Sequence, residues 1–280
     1  MTGHVTEPAA ALADRLPDWV TLMRAPNPGP MTLDGTNTWI LRATGAPSAT
    51  VIDPGPLDEA HLAGLVAAGP VGAILITHGH PDHVEGAHRL ATLAGGAPVL
   101  AADPAYRVAA EQWPPGDRLD GYGVRITALE TPGHTADSVC FLAEVAGERV
   151  IFTGDTILGR GTTVVAHPDG DLGAYLASLA TLTAYAGVPT LPGHGPALAD
   201  CAAAARFYLA HRQARLAQVR QVVAEGVTSA PEVVARVYAD VDRSLWGAAE
   251  WSVRAQLAYL YQRDQQPRES RPGAGRLEPQ

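Results

Sequence analysis

The stretch Thr77-His78-Gly79-His80-Pro81-Asp82-His83 places three imidazoles and one carboxylate within six residues. Imidazole and carboxylate together suit zinc and other borderline divalent ions. An apolar run, Ala73-Ile74-Leu75-Ile76, leads into it. Side chains alternate along an extended segment, so His78 and His80 share one side; Asp82 and His83 lie beyond the turn and point elsewhere. One short loop thus feeds two metal positions. Chance histidines in a polar turn are the competing explanation, and H-x-H-x-D-H spacing argues against it.

A two-ion centre needs more ligands than this loop holds. Three later points offer them, each where a strand-like run ends in small residues. They are His134 in Thr131-Pro132-Gly133-His134-Thr135, Asp155 in Phe152-Thr153-Gly154-Asp155, and His194 in Leu191-Pro192-Gly193-His194-Gly195. Glycine ahead of each lets backbone approach closely. A strand-end aspartate alone is often only a helix cap, but three such points behind H-x-H-x-D-H form a constellation. Two divalent ions roughly 3.5–4 Å apart can share a hydroxide and hold both attacking and leaving groups, and zinc lowers the pKa of bound water to about 7. The cofactor expected is a pair of divalent ions, Zn2+ by donor type. Esters, thioesters, amides and phosphodiesters all fit such a centre.

The elements that must carry these loops follow from hydrophobic period. Residues 19–26 and 37–42 read as opening strands joined by a long Pro- and Gly-rich loop, and 49–53 as a third. Residues 57–68 read as a helix and 73–77 as the strand into the metal loop. Residues 81 to about 94 read as one helix, with Pro81 in the first turn, where a missing N–H costs nothing. Further strands fall at 98–101, 124–130, 138–145 and 148–153, and an amphipathic helix at 171–186, capped by Asp171 or Gly170. Strand, helix and ligand loop recur in two rounds. That predicts an α/β fold: an αββα sandwich of two mixed sheets with helices outside, its ligand loops meeting at one edge. Past Pro196 the pattern is helical, over 200–225, then 233–238 behind a Ser229 N-cap with Glu232 at the third helical position, then 247–263. The expected organisation is a flexible arm over 1–17, a sandwich domain over 18–199, a small helical domain over 200–264 and a disordered tail over 265–280.

The constellation resembles the metallo-β-lactamase superfamily over roughly residues 18–200. The resemblance implies that His78, His80 and His134 hold one metal, that Asp82, His83 and His194 hold the second, and that Asp155 bridges both. True class B β-lactamases usually carry Cys at the position of Asp155, which argues against β-lactam substrates. Within the superfamily, the segments Asn27 to Trp39, Gly154 to Val165, Leu191 to Pro196 and His211-Arg212-Gln213-Ala214-Arg215 resemble the β-lactamase-like-protein-2 family. That family joins a hydrolase domain to a helical, winged-helix-like C-terminal domain, and its eukaryotic members are implicated in single-stranded RNA cleavage. The resemblance implies a dinuclear metal-dependent hydrolase, with Asp82 and Asp155 as catalytic carboxylates, acting on single-stranded RNA or another phosphodiester. No strand pair for a wing follows Arg263. This departure weakens any borrowed nucleic-acid role. It favours helices that cover the cleft or support a homodimer over helices that bind duplex DNA.

The chain has 280 residues, net charge −9 and two cysteines. That length suits one large domain and a small one. Broad nucleic-acid binding relies on many Lys and Arg contacts, so the charge disfavours it, although metal ions invert the local potential. The competing substrate class is that of a glyoxalase-II-like thioesterase or small-ester hydrolase. The acidic charge does not oppose it; the lack of a Lys and Arg cluster for glutathione near the C-terminus does. A non-enzymatic scaffold is disfavoured by the complete ligand set. Apolar runs fall short of the ~20 residues of a membrane span, residues 1–17 lack the pattern of a secretory signal, and two cysteines make no disulfide framework. The expected compartment is the cytoplasm, with no membrane partner and a small molecule or single-stranded nucleic acid as substrate. Substrate choice falls to residues 27–38, 156–165 and the C-terminal helices. Arg160 is a candidate for holding an anionic group, or a surface arginine. Thr162 and Thr163 either hydrogen-bond near the metals or pack a turn. Asn37 either orients substrate or stabilises its own loop, the latter favoured. Asp53 is a candidate acceptor for a ligand imidazole. His211 either supports the site or faces substrate, or, as a helical histidine more often does, lies exposed; His4, His61, His88 and His167 take no part in the site.

Overall fold

The computed structural model describes residues 12, 16–110, 118–121 and 123–265. Two five-stranded sheets form its frame, ordered β1-β2-β3-β4-β5 and β10-β9-β8-β7-β6. The first holds β1 (Val20–Arg24), β2 (Asn37–Leu41), β3 (Ala49–Ile52), β4 (Val71–Leu75) and β5 (Val99–Leu100). The second holds β6 (Arg118–Gly121), β7 (Val124–Glu130), β8 (Val139–Val145), β9 (Glu148–Gly154) and β10 (Thr190–Pro192). Both sheets are mixed. In the first, β3, β4 and β5 run parallel; in the second, β9 and β10 do. The carboxyl ends of these parallel strands gather the ligand loops.

Period-two alternation builds the layers. Trp39, Leu41, Ile52 and Leu75 of the first sheet meet Phe141, Val150 and Phe152 of the second in the intersheet core. Trp39 and Phe152 touch edge to face, 5.8 Å between ring centres. The alternate residues Ile40, Val51 and Ile74 face outward onto Leu62 and Leu65 of α1 (Glu59–Ala67) and Leu90 of α3 (Ala87–Leu93). Cys140 and Ile151 face the other way, onto α4 (Leu172–Leu182) and α5 (Cys201–Ala224). The αββα sandwich of the sequence reading is the observed fold.

The C-terminal helices α6 (Ala230–Val237) and α7 (Trp246–Gln265) share that last core: Val233, Val234 and Val253 belong to the same apolar cluster as Tyr175 and Tyr208. They therefore pack on the sandwich through α4 and α5.

Three local expectations change. The helix expected over 81–94 is two helices, α2 (Pro81–Val84) and α3, broken at Glu85-Gly86. There the Gly86 N–H donates to Gly55 O at 2.9 Å, and a Cβ on Gly86 would meet Leu62, Gly55 and Pro56 at 2.9–3.0 Å. Strand β6 is additional, paired antiparallel to β7. Ser229 precedes α6 as expected, but its hydroxyl donates to Glu232 Oε2 at 2.6 Å instead of serving a backbone N–H. Asp171 does cap α4, accepting from Ala174 N at 2.7 Å. Of the expected arm, residues 1–11 and 13–15 lie outside the described residues, while Leu16 packs against the intersheet core. Of the expected tail, 266–280 lie outside them too. No helix among the described residues is long and apolar enough to cross a membrane.

Candidate metal centre

Backbone hydrogen bonds knit the ligand loops at one edge of the sandwich. Val139 N donates to Thr77 O at 2.8 Å, tying the second sheet to the first. Gly193 N donates to Gly154 O at 2.8 Å, and Asn37 N to Gly193 O at 2.7 Å. The glycines are needed for this closeness. A Cβ on Gly193 would lie 2.6 Å from Asp155 Oδ1 and 2.7 Å from His83 Cε1.

Each buried imidazole is oriented by what its outward nitrogen meets. His83 Nδ1 donates to Asp53 Oδ2 at 2.8 Å, and His134 Nδ1 to Val164 O at 2.7 Å. Thr77 Oγ1 donates to Asp53 Oδ2 at 2.7 Å, so toward His78 Nδ1, at 3.0 Å, it acts as acceptor. With Nδ1 carrying the proton, Nε2 of His78, His83 and His134 presents a bare lone pair inward. Those nitrogens converge. His80 Nδ1 lies 3.0 Å from both His78 Nε2 and His134 Nε2. His194 Nε2 lies 3.2 Å from both His83 Nε2 and Asp82 Oδ2. Asp155 sits between the two groups: Oδ1 is 3.5 Å from His83 Nε2, and Oδ2 is 3.4 Å from His194 Nε2 and 3.8 Å from His134 Nε2.

This arrangement fits metal ions on its own evidence. Lone pairs facing lone pairs at such distances call for cations between them, and Asp155 Oδ1 is a buried oxygen without a hydrogen-bond partner. Three sets of ligand atoms each close to within 4.8 Å: His78, His80 and His134; Asp82, His83 and His194; and His78, His83 and Asp155. The local field agrees. Burial opposes a proton on His194, but the Asp155 and Asp82 carboxylates raise its pKa to about 10, and the same negative field draws a metal ion. Burial, with His80 beside it, pushes His134 down to about 4, leaving the neutral form that ligates. Burial works against ionised Asp82 and Asp155, yet the neighbouring imidazoles hold both carboxyls below their ordinary range.

Support for these groups comes partly from residues that the sequence reading passes over. Thr36 Oγ1 donates to Asp82 Oδ2 at 3.0 Å. Thr77 serves Asp53 and His78 together. Their signal is faint, because a lone threonine beside a strand is ordinary. Asp53 is the imidazole acceptor its strand-end position suggests, and His61 is buried, its Nε2 3.0 Å from Thr38 Oγ1. His88 and His167 are exposed, and His4 lies outside the described residues. Asn37 takes the loop-stabilising place. It is fully buried, donates to Pro192 O and Gly195 O, and accepts from Arg24 Nε, so it tethers the His194 loop. Arg160 is exposed and paired with Asp34 through two bonds of 2.7 and 2.8 Å.

A cavity of about 320 Å³ opens from His134 and Asp155. Thr162 and Thr163 line it, Arg160 stands at its edge, and α5 and the C-terminal helices complete its wall. His211 also lines this cavity, half-buried and stacked on Phe207, instead of lying exposed.

The metallo-beta-lactamase superfamily pattern matches residues 31–194, and that of the beta-lactamase associated winged helix domain matches 229–271. The chain belongs to the metallo-β-lactamase superfamily and is a hydrolase by class. Within it, the chain is similar to a beta-lactamase-like protein 2 homolog of Caenorhabditis elegans, 32% identical over 86% of this chain and 81% of the other. Lactamase-like protein vrtG of Penicillium aethiopicum is 32% identical over 86% of this chain and 77% of its own length. An atrochrysone carboxyl ACP thioesterase of Aspergillus chevalieri is 36% identical over 75% of this chain and 66% of its own. Among solved structures, a beta-lactamase domain protein from Burkholderia ambifaria shares the fold, with TM-score 0.73 and 24% identity, covering 95% of this chain and 94% of that one. In the winged-helix match, the described residues form helices and a single 3-10 turn, and no strand pair stands among them.

Proposed function

We propose that this protein is a two-ion hydrolase of thioesters or esters with an apolar acyl group. The observation that carries this is the cavity wall. Met31, Leu33, Leu158, Val164, Val241 and Leu245 form an apolar lining that begins at the ligands His134 and Asp155. Ligand sites combine such walls with a few placed polar groups. The similarity to a protein named as a carboxyl ACP thioesterase supports the reading.

In this proposal His78, His80 and His134 would hold one ion, Asp82, His83 and His194 would hold the other, and Asp155 would serve both; zinc suits such donors. A pair of divalent ions supplies Lewis acidity there, stabilising charge on the scissile carbonyl oxygen and activating water. The chain's own groups do the rest. Asp82, its side chain 26% exposed and steadied by Thr36, orients the attacking water. The apolar wall binds the acyl body and excludes bulk water. Water oxygen bonds to the acyl carbon, the C–S bond breaks, and carboxylate, thiol and one proton leave. The thiols of Cys140 and Cys201, pushed up by burial to about 11 and about 12, remain free and inert. They suit a reducing compartment, and we place the protein in the cytoplasm.

Purified protein is expected to carry close to two divalent ions per chain. His134→Ala should empty mainly the first position and His194→Ala mainly the second. Elemental analysis that finds no metal after zinc supplementation would overturn the assignment.

The phosphodiester reading draws on the guanidinium groups of Arg160, Arg212 and Arg215 around the same cavity. The substrate class is tested with zinc-loaded protein on an acyl thioester, an RNA oligomer, a phosphodiester, a lactone and a β-lactam. Fast turnover of the thioester is expected. Cleavage of RNA with no thioester turnover would replace the proposal with the phosphodiester reading. Arg160→Ala separates the two as well. An exposed ion pair contributes little, so thioester kinetics should hold within about twofold. An RNA substrate would instead show a higher KM and a flatter salt dependence, because fewer phosphate contacts release fewer counterions.

A further inference from the structure

Arg212, on α5, lines the cavity at 6% exposure. It donates through Nη2 to Thr163 O, on the loop whose Val164 carbonyl holds His134. Its guanidinium carbon lies 5.4 Å from the centre of the Tyr175 ring. Its Nε has no hydrogen-bond partner. Among the described residues, no carboxylate forms an ion pair with it, whereas Arg160 pairs with Asp34 and Arg215 approaches Asp240. The neighbours on α5 add no negative charge. His211 is kept neutral by burial and by Arg212 and Arg215, which lower it to about 4. Arg215 is committed to Val237 O at 2.7 Å and lies over the Tyr238 ring.

Burying a charge is costly unless it is paired and hydrogen-bonded. The Tyr175 face and one carbonyl compensate Arg212 only in part. A buried guanidinium without a counter-charge, in the wall of a substrate cavity, is matched by an anion that arrives with the ligand. We propose that Arg212 recognises an oxyanion on the substrate. That oxyanion is a carboxylate on the acyl group or a phosphate on the thiol arm, and the apolar body spans the wall between Arg212 and the metal loops. This rests on the thioester reading above and narrows it to anionic thioesters.

The test reads binding separately from turnover. Zinc-loaded protein is titrated calorimetrically with two slowly cleaved amide isosteres, N-acetyl-N′-hexanoyl-ethylenediamine and its adipoyl counterpart. Both have six-carbon acyl groups, and only the second ends in a carboxylate. Coenzyme A thioether and the neutral N-acetylcysteamine thioether, each bearing a hexyl group, form the second arm. Wild type is expected to bind one anionic member at least about tenfold more tightly than its neutral match, as charge-assisted bonds do. Arg212→Met should abolish that preference and Arg212→Lys should keep part of it. A preference confined to the adipoyl pair identifies an acyl carboxylate, and one confined to the coenzyme A pair identifies the arm's phosphate. Equal binding within both pairs by wild type would overturn the proposal. So would a preference that survives Arg212→Met in a folded protein. Should both variants fail to fold, a crystal structure of the wild-type complex decides: an oxyanion on the Arg212 guanidinium supports the proposal, and one placed elsewhere overturns it. Tight Arg212-dependent binding without hydrolysis of any thioester would sink the proposed reaction and leave the anion subsite standing.

Discussion

Asp155→Asn is expected to reduce hydrolysis roughly a thousandfold, since Lewis-acid catalysis is worth several kcal/mol and each factor of ten corresponds to about 1.4 kcal/mol. Asn preserves the volume of the side chain, so the fold should survive. What it removes is the negative charge that lies within 3.4–3.8 Å of His83, His134 and His194. Two cations at short range would then face less compensation, and the amide N–H groups would point at inward lone pairs. Metal content should fall from about two ions toward one, a change that a purely structural role for Asp155 would not produce. A folded variant with both ions and near-wild-type turnover would remove Asp155 from the centre.

Asp53→Ala should act from behind the site with a comparably large effect. Asp53 is 1% exposed and accepts three hydrogen bonds: Thr77 N at 2.8 Å, Thr77 Oγ1 at 2.7 Å and His83 Nδ1 at 2.8 Å. It also adopts a φ of 52°, a left-handed conformation that Asp tolerates better than Ala. Losing the carboxylate frees the rings of both His83 and, through Thr77, His78. Stability is expected to drop by about 3 kcal/mol, because three buried donors lose their acceptor and each unsatisfied group costs about 1–3 kcal/mol. Zinc affinity should weaken by roughly 10–100-fold, the usual effect of losing a group that orients a ligand. Denaturant unfolding reads the first and competition with a chelator the second. Asp53→Asn, which keeps an oxygen for Thr77 N, should unfold less readily than Asp53→Ala while still losing zinc. Equal zinc affinity in all three proteins would show that the imidazoles are held without Asp53.

The residues proposed as metal ligands are legible in sequence because coordination constrains both residue type and spacing. His78, His80, Asp82 and His83 are local to one loop, and His134, Asp155 and His194 each follow a strand and a glycine. Asp53 is legible for the same reason, as a carboxylate where a strand ends. Thr36 is not. A threonine carries many meanings, and its bond to Asp82 depends on the loop before β2 meeting the segment after β4. The break between α2 and α3 is hidden too. Hydrophobic spacing continues through Glu85-Gly86, and only the Gly55-Pro56 turn pressing on Gly86 ends the first helix.

Arg160 and Arg212 show where sequence reasoning stops. In sequence, Arg160 sits between glycines in a loop beside the ligands and reads as the better anion contact. Arg212 enters only as part of the family-like segment His211 to Arg215, with no role of its own. Folding reverses them, because Arg160 meets Asp34 in solvent while Arg212 is buried without a carboxylate. Counterions are a property of tertiary neighbours, and no local pattern encodes them. The sequence by itself determined the candidate donor set, the two-layer frame and the helical C-terminal part, since ligand spacing and side-chain periodicity act over a few residues. Only the tertiary structure decided the cavity. Its walls come from Met31 and Leu33 near one end of the chain, Leu158 and Val164 in the middle, and Val241 and Leu245 near the other. They become one apolar surface only because α5, α6 and α7 bury their own apolar faces against the second sheet and α4.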